Sequence, residues 1–292
     1  MRAFEDYNPI AVFIYFACTA GIAMFCLNPV ILVLSFLGAF SFYIVRNGRR
    51  YIKTHFMMSG MFVIMSLINP IFTHNGVTVL FVVGDSPITL EALLYGMAAA
   101  LMIVSVIYWF RLFSQIMTSD RLLYIFGSIS PKFALLISMA LRYVPLFGRQ
   151  AKKVNQVQKA LGLYKEDNVI DNAKGGMRIF SVMTTWALEN GIITADSMVA
   201  RGYGIGKRTN FSNYKIRKSD VVMIVFSIFL FSIIVAVIIN GALEFKFYPE
   251  MSDICMGLDA MAGYFAYGIL AFLPVFIEME EKIKWKYLES KI

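Results

Sequence analysis

Long apolar runs separated by short polar connectors make up most of the chain, and the run lengths set the first expectations. Val221 to Ile239 is nineteen residues without a charge, and Ala92 to Phe110 is another nineteen. Wound as a helix, each run is long enough to cross a hydrocarbon core about 30 Å thick. The same reading predicts six spanning helices: Pro9 to Leu27, Val30 to Val45, Phe56 to Phe72, Leu90 to Arg111, Asp220 to Asn240 and Leu258 to Ile277. Asn28-Pro29 divides the first two, because proline disfavours helix at the residue before it. The connector 73–89 surrounds a short β-branched run with Gly and Asn, a pattern that fits either a small hairpin or an interfacial dip.

The interruption between the fourth and fifth spans, 113–218, is too long for a turn and keeps apolar residues at helical spacing, so it is expected to fold. Two long helices are predicted in it, about 132–162 and 177–202, each closed by a glycine that can cap a helix C-terminus. In the first, Phe147, Ala151, Val154, Val157 and Leu161 recur at steps of 4, 3, 3 and 4, with Arg149, Lys152, Lys153, Gln156 and Lys159 opposite. Such a stripe has to meet another surface. In the second, Ala187, Gly191, Ala195, Met198 and Gly202 step by 4, 4, 3 and 4, and small residues at this spacing let two backbones approach closely. Packing of the two helices on each other accounts for both stripes; docking on a partner is the alternative. The chain thus divides into 1–112 with four membrane helices, an insert over 113–218, and 219–292 with the last spans and a tail.

Composition strengthens this reading. Apolar residues are 59% of the 292 and charged residues 16%, where a soluble domain averages about half and a quarter. The expected class is an all-α integral membrane protein, about six spans plus an inserted domain of two long helices. The N-terminal region lacks the cleavage-site pattern of a secretory signal. Lys and Arg fall on one side of the predicted spans. There are four in 46–53, seventeen against six acids in 111–218, four lysines after 278, none in 73–89, and only Lys246 in 241–257. By the positive-inside rule both termini are expected in the cytoplasm, in a multi-pass protein of the plasma membrane. This topology explains the net charge of +8, and no nucleic-acid-binding module accompanies it. Cys18, Cys26 and Cys255 lack ligand spacing and are expected to pack as small hydrophobes, and His55 and His74 fall in or beside connectors. Ionisable residues avoid span centres: Glu91, Asp220 and Asp259 sit at helix ends, unlike the mid-span relays of ion-coupled carriers. A self-contained carrier or channel remains the alternative function, since broken helices can bind cargo through backbone carbonyls.

The stretch ADSMVARGYGIGKRT, 195–209, imitates a phosphate loop without its chemistry. A nucleotide loop needs glycine at 201 and Ser or Thr at 208, after a strand; here both positions are Arg and a helix precedes them. The glycines instead end the helix. Arg201 then has two readings: a cation favoured by the helix dipole, or a planar fork projected into an acidic or carbonyl-lined groove, with Ala200 and Gly202 keeping the flanks small.

SMALRYVPLF (138–147), QAKKVNQVQKALG (150–162) and ADSMVARGYG (195–204) together resemble the transmembrane T component of energy-coupling factor (ECF) transporters, the CbiQ-like family. The resemblance covers nearly the whole chain. It implies two cytoplasmic coupling helices, each closed by an Ala-Arg-Gly motif that inserts into one of two ABC-type ATPase subunits. It also implies a separate substrate-specific membrane S component for a vitamin or a transition-metal ion. ATP and magnesium belong to the ATPases, and no catalytic residue, metal or cofactor is expected on this chain. The second motif matches at Ala200, Arg201 and Gly202, with Met198 one turn earlier. The first is replaced by Ala160, Leu161 and Gly162, so that an apolar side chain, placed to enter the groove or to pack on the other helix, stands where arginine is expected. Arg142 and Pro145 also fit the family pattern, at the expected membrane edge.

Overall fold

The structure is a computed structural model and describes residues 4–48, 52–73, 76–83, 86–163, 169–206, 214–249 and 251–290. Among these residues the regular secondary structure is helical but for one hairpin, and the chain forms two compact units: 1–122 with 214–292, and 123–213.

The first unit holds α1 (Pro9–Phe25), α2 (Pro29–Asn47), α3 (Ile52–Phe72), α4 (Leu90–Ile116), α8 (Lys218–Ile239) and α9 (Leu258–Glu289). Of these, α2, α3, α4, α8 and α9 are long and apolar enough to cross a membrane. The sixth expected span, α1, has 17 residues, about 26 Å of rise, because the chain turns extended at Cys26. Asn-Pro starts both α1 and α2: the Asn8 and Asn28 side chains accept from the amides of Ile10 and Val30, and proline takes the first helical position. Asn28 also donates to the Leu243 carbonyl, between α8 and α9, and to the Tyr264 hydroxyl on α9, tying the α1–α2 turn to both. Asp220, fully buried, accepts from the Asn8 and Arg217 amides and so joins the starts of α1 and α8.

Within lipid, helices gain little from hiding apolar surface, so close packing and internal hydrogen bonds hold them together. Here Phe4, Tyr15, Phe16, Phe42 and Trp109 interlock edge to face. The Trp109 indole donates to Ser35, and the Tyr15 hydroxyl donates to the Leu270 carbonyl. Gly38 lets α2 meet α9 at Ala271, where a Cβ would lie 2.8 Å from the alanine Cβ. Arg46 ends α2 between Glu5 at 2.5 Å and Glu278 at 3.6 Å.

Of the two forms open to the connector between α3 and α4, the structure has the hairpin, β1 (Val79–Val83) antiparallel to β2 (Ser86–Thr89). Other expectations are corrected. His55 belongs to α3, inside an aromatic cluster with its Nδ1 2.9 Å from the Tyr108 hydroxyl, and not to a connector. Cys18 and Cys26 are buried, whereas Cys255 is exposed. Helix α9 runs twelve residues past Ile277. His74, Lys207 and Arg208 lie outside the described residues.

The second unit contains α6 (Pro131–Ala160), α7 (Val169–Ala200) and most of α5 (Ser119–Ile129), which was not anticipated. Helix α7 begins eight residues before the expected 177.

Candidate docking site at the helix ends

Helices α6 and α7 pair antiparallel. Arg178 donates to the Leu163 carbonyl, Trp186 meets Phe147 edge to face, and Thr194 lies 2.9 Å from the Tyr143 hydroxyl. Residue number rises along one helix as it falls along the other. The last turn of α7, Met198 and Val199, shares a groove with Met139 near the start of α6.

The contact face of α6 differs from its predicted stripe. Phe147, Ala151 and Val154 are partly covered, and the line continues through Gln158, which is buried. Val157 and Leu161 leave that face and stand 58% and 68% exposed. Mutual packing therefore explains the first part of the stripe and not its end. Leu161 is therefore not covered by the other helix. Gly191 in α7 has no atom within 4 Å of where a Cβ would be, so the small-residue stripe brings no close backbone approach there. Gly191 and Ala195 instead line an apolar groove of about 320 Å³ with Met139, Tyr143, Met198 and Tyr203.

Both helices end in the same way. At the end of α6 the Gly162 amide donates to the Lys159 carbonyl and the Leu163 amide to that of Gln158, with Gly162 at φ +66°. At the end of α7 the Gly202 amide donates to Val199 and the Tyr203 amide to Met198, with Gly202 at φ +81°. Each is a Schellman cap, in which a left-handed glycine reverses the chain and satisfies the last carbonyls. Ala160-Leu161-Gly162 and Ala200-Arg201-Gly202 are thus congruent, and Ala160, Leu161, Ala200 and Arg201 are all exposed. The cap holds the middle residue in the final turn, clear of its own helix.

Because the pair is antiparallel, the two motifs lie at opposite ends of it. Arg178, beside Leu163, is separated from Arg201 by roughly 35 Å of helix at about 1.5 Å per residue. Arg142 and Pro145 lie on α6 beside the Tyr143 crossing; both are exposed, and the helix runs through the proline. The helix pair therefore presents two matched ends with unlike tips, one guanidinium and one isobutyl.

Sequence reasoning missed Gln158, whose polar side chain hid its place in the apolar line. It also missed the antiparallel order, which the short link between α6 and α7 could have revealed. Among the described residues, no three His, Cys, Asp or Glu side chains gather as a metal-holding group. Comparison with curated proteins returns no match. Comparison with protein families matches residues 5–211 to CbiQ, described as cobalt transport protein, a stretch running from the start of the first helix through both motifs. With most of its length matched and at least five helices able to cross a membrane, this chain belongs to the CbiQ cobalt transport protein family and is a multi-pass membrane component of a transport system.

Proposed function

We propose that the chain is the coupling subunit of an ECF-type ABC importer. In this reading the 123–213 unit is cytoplasmic and its two capped ends dock on two ATPase subunits. ATP and magnesium act in those subunits. Closing of the ATPase pair moves the helices, and the membrane spans pass the motion to a separate subunit that binds a vitamin or a metal ion. Counting α1, an even number of spans puts both termini on one side, and the distribution of Lys and Arg favours the cytoplasmic one.

One observation carries the proposal: two congruent caps at opposite ends of an antiparallel helix pair, each presenting an exposed side chain. The helix dipole alone would favour a cation at either end, but it gives no reason for the exposed leucine in the matching cap at 161, which docking supplies. Two separated ends also suit a two-subunit motor, which offers two similar surfaces a protein width apart.

Arg201→Glu tests this. Placing a carboxylate in a groove built for a guanidinium should cost about 2–5 kcal/mol at that contact. The expected result is loss of ATPase subunits from the purified complex, or of ATP-driven uptake, with the chain still inserted in the membrane. Unchanged assembly and unchanged uptake would refute docking through Arg201.

A further inference from the structure

We propose that the β1–β2 hairpin is a lipid-interface anchor, seated in the leaflet at the end of the spans where α3 stops and α4 begins. The proposal does not depend on the coupling role. It begins at the root of the hairpin, which is tied to the first turn of α4. The Thr78 amide donates to the Glu91 carboxylate at 3.1 Å, the Thr78 hydroxyl donates to the same oxygen, and the Leu90 amide donates to the Thr78 carbonyl at 2.9 Å. Glu91 is itself buried. The hairpin therefore leaves the protein at a fixed level, the end of a span.

Beyond that root, β2 lies against α3 and α4, so β1 is the outer strand. A register irregularity between Val79 and Phe81 interrupts the alternation of side chains there; past it, Phe81 and Val82 pair in succession with Ile88 and Pro87 and so point to opposite faces. Val79, Leu80, Phe81 and Val82 are all apolar and 48–61% exposed. A hairpin with one face on protein and one in water alternates apolar with polar. This strand has no polar face at all, and an apolar outer strand in water is an aggregation hazard that proteins guard with charge. The connector 73–89 holds no Lys or Arg to guard it.

The preceding helix indicates what covers it. Ile64, Leu67, Ile68, Ile71 and Phe72 are exposed along the last turns of α3, a helix long and apolar enough to cross a membrane, so the surface that leads into β1 is itself one suited to lipid. Among the described residues no strand pairs with the outer edge of β1, and that edge fixes the depth. Free amides and carbonyls are not tolerated in the hydrocarbon core, so the hairpin rests at the boundary, with acyl chains against its side chains and water or headgroups at its edge.

The test uses the full chain reconstituted alone in liposomes, with Cys255→Ser removing the exposed thiol and Cys18 and Cys26 left buried. Phe81→Cys and Val82→Cys, one on each face, carry an environment-sensitive fluorophore; Glu244→Cys, on an exposed acidic position between α8 and α9, is the aqueous control. The expected result is blue-shifted emission at both strand positions, quenched by lipids with brominated acyl chains and indifferent to a water-soluble quencher, with the reverse at 244. Aqueous quenching at either strand position overturns the proposal. So does protection from both quenchers, which would mean that protein covers the strand.

Discussion

Leu161 and Arg201 fill one place in two copies of a single cap, and their chemistry could hardly differ more. A guanidinium carries a charge and several donors into whatever groove receives it. An exposed leucine offers only shape and apolar area. Under the docking account, the surface that receives Leu161 is apolar where its counterpart is acidic or carbonyl-lined. Leu161→Asp should then detach one ATPase subunit, because a desolvated carboxylate without a partner costs several kcal/mol. Leu161→Met conserves volume and should cost less than about 1.5 kcal/mol. Raising the salt concentration should weaken the Arg201 contact more than the Leu161 contact, since screening acts on charge. The check is the amount of each ATPase polypeptide retained through purification across a salt series. Full retention by Leu161→Asp would show that this tip touches nothing.

At the scale of elements, the caps hold the tips in place. Gly202 sits at φ +81°, where a side chain costs roughly 1–2 kcal/mol unless it is Asn or Asp. A Cβ there would meet only the Ile205 side chain at 3.5 Å, so the penalty is in the backbone and not in crowding. Gly202→Val should therefore unwind the last turn of α7 and blunt coupling, while Gly202→Asn should keep most of both. Hydrogen exchange at the Gly202 and Tyr203 amides reads the cap directly: faster in the valine variant, near wild type with asparagine. Equal exchange in all three would remove the cap from the account.

The elements also show what the sequence made legible. Charge-free runs announced α4 and α8, and Asn-Pro announced the break between α1 and α2, because lipid and proline each impose a strict local rule. The glycines at 162 and 202 announced both caps for the same reason. The start of α7 was hidden by Asp171, Asn172, Lys174 and the Gly175-Gly176 pair, which read as a loop by propensity. Contact with α6 outweighs that preference, and Gly175 is buried. The short helix α5 does carry an apolar face, over Ser119–Ile129, but at eleven residues it is far shorter than the two long helices predicted after it. Tertiary pairings such as Asp220 with the Asn8 amide, or Arg46 with Glu278, join residues more than two hundred positions apart and leave no local trace.

For the whole molecule, the account is a membrane unit of close-packed spans and a second unit built around two long helices that end in docking tips. Its central claim is that the tip at 201 rests on an ATPase. The most direct measurement replaces Arg201 with a photoreactive amino acid in the full chain, irradiates native membranes and identifies the crosslinked polypeptide by mass spectrometry. The account predicts a covalent adduct with a polypeptide carrying the phosphate-binding loop of an ATPase, with a yield that changes when ATP is added. Adducts confined to lipid or to this chain itself would contradict it.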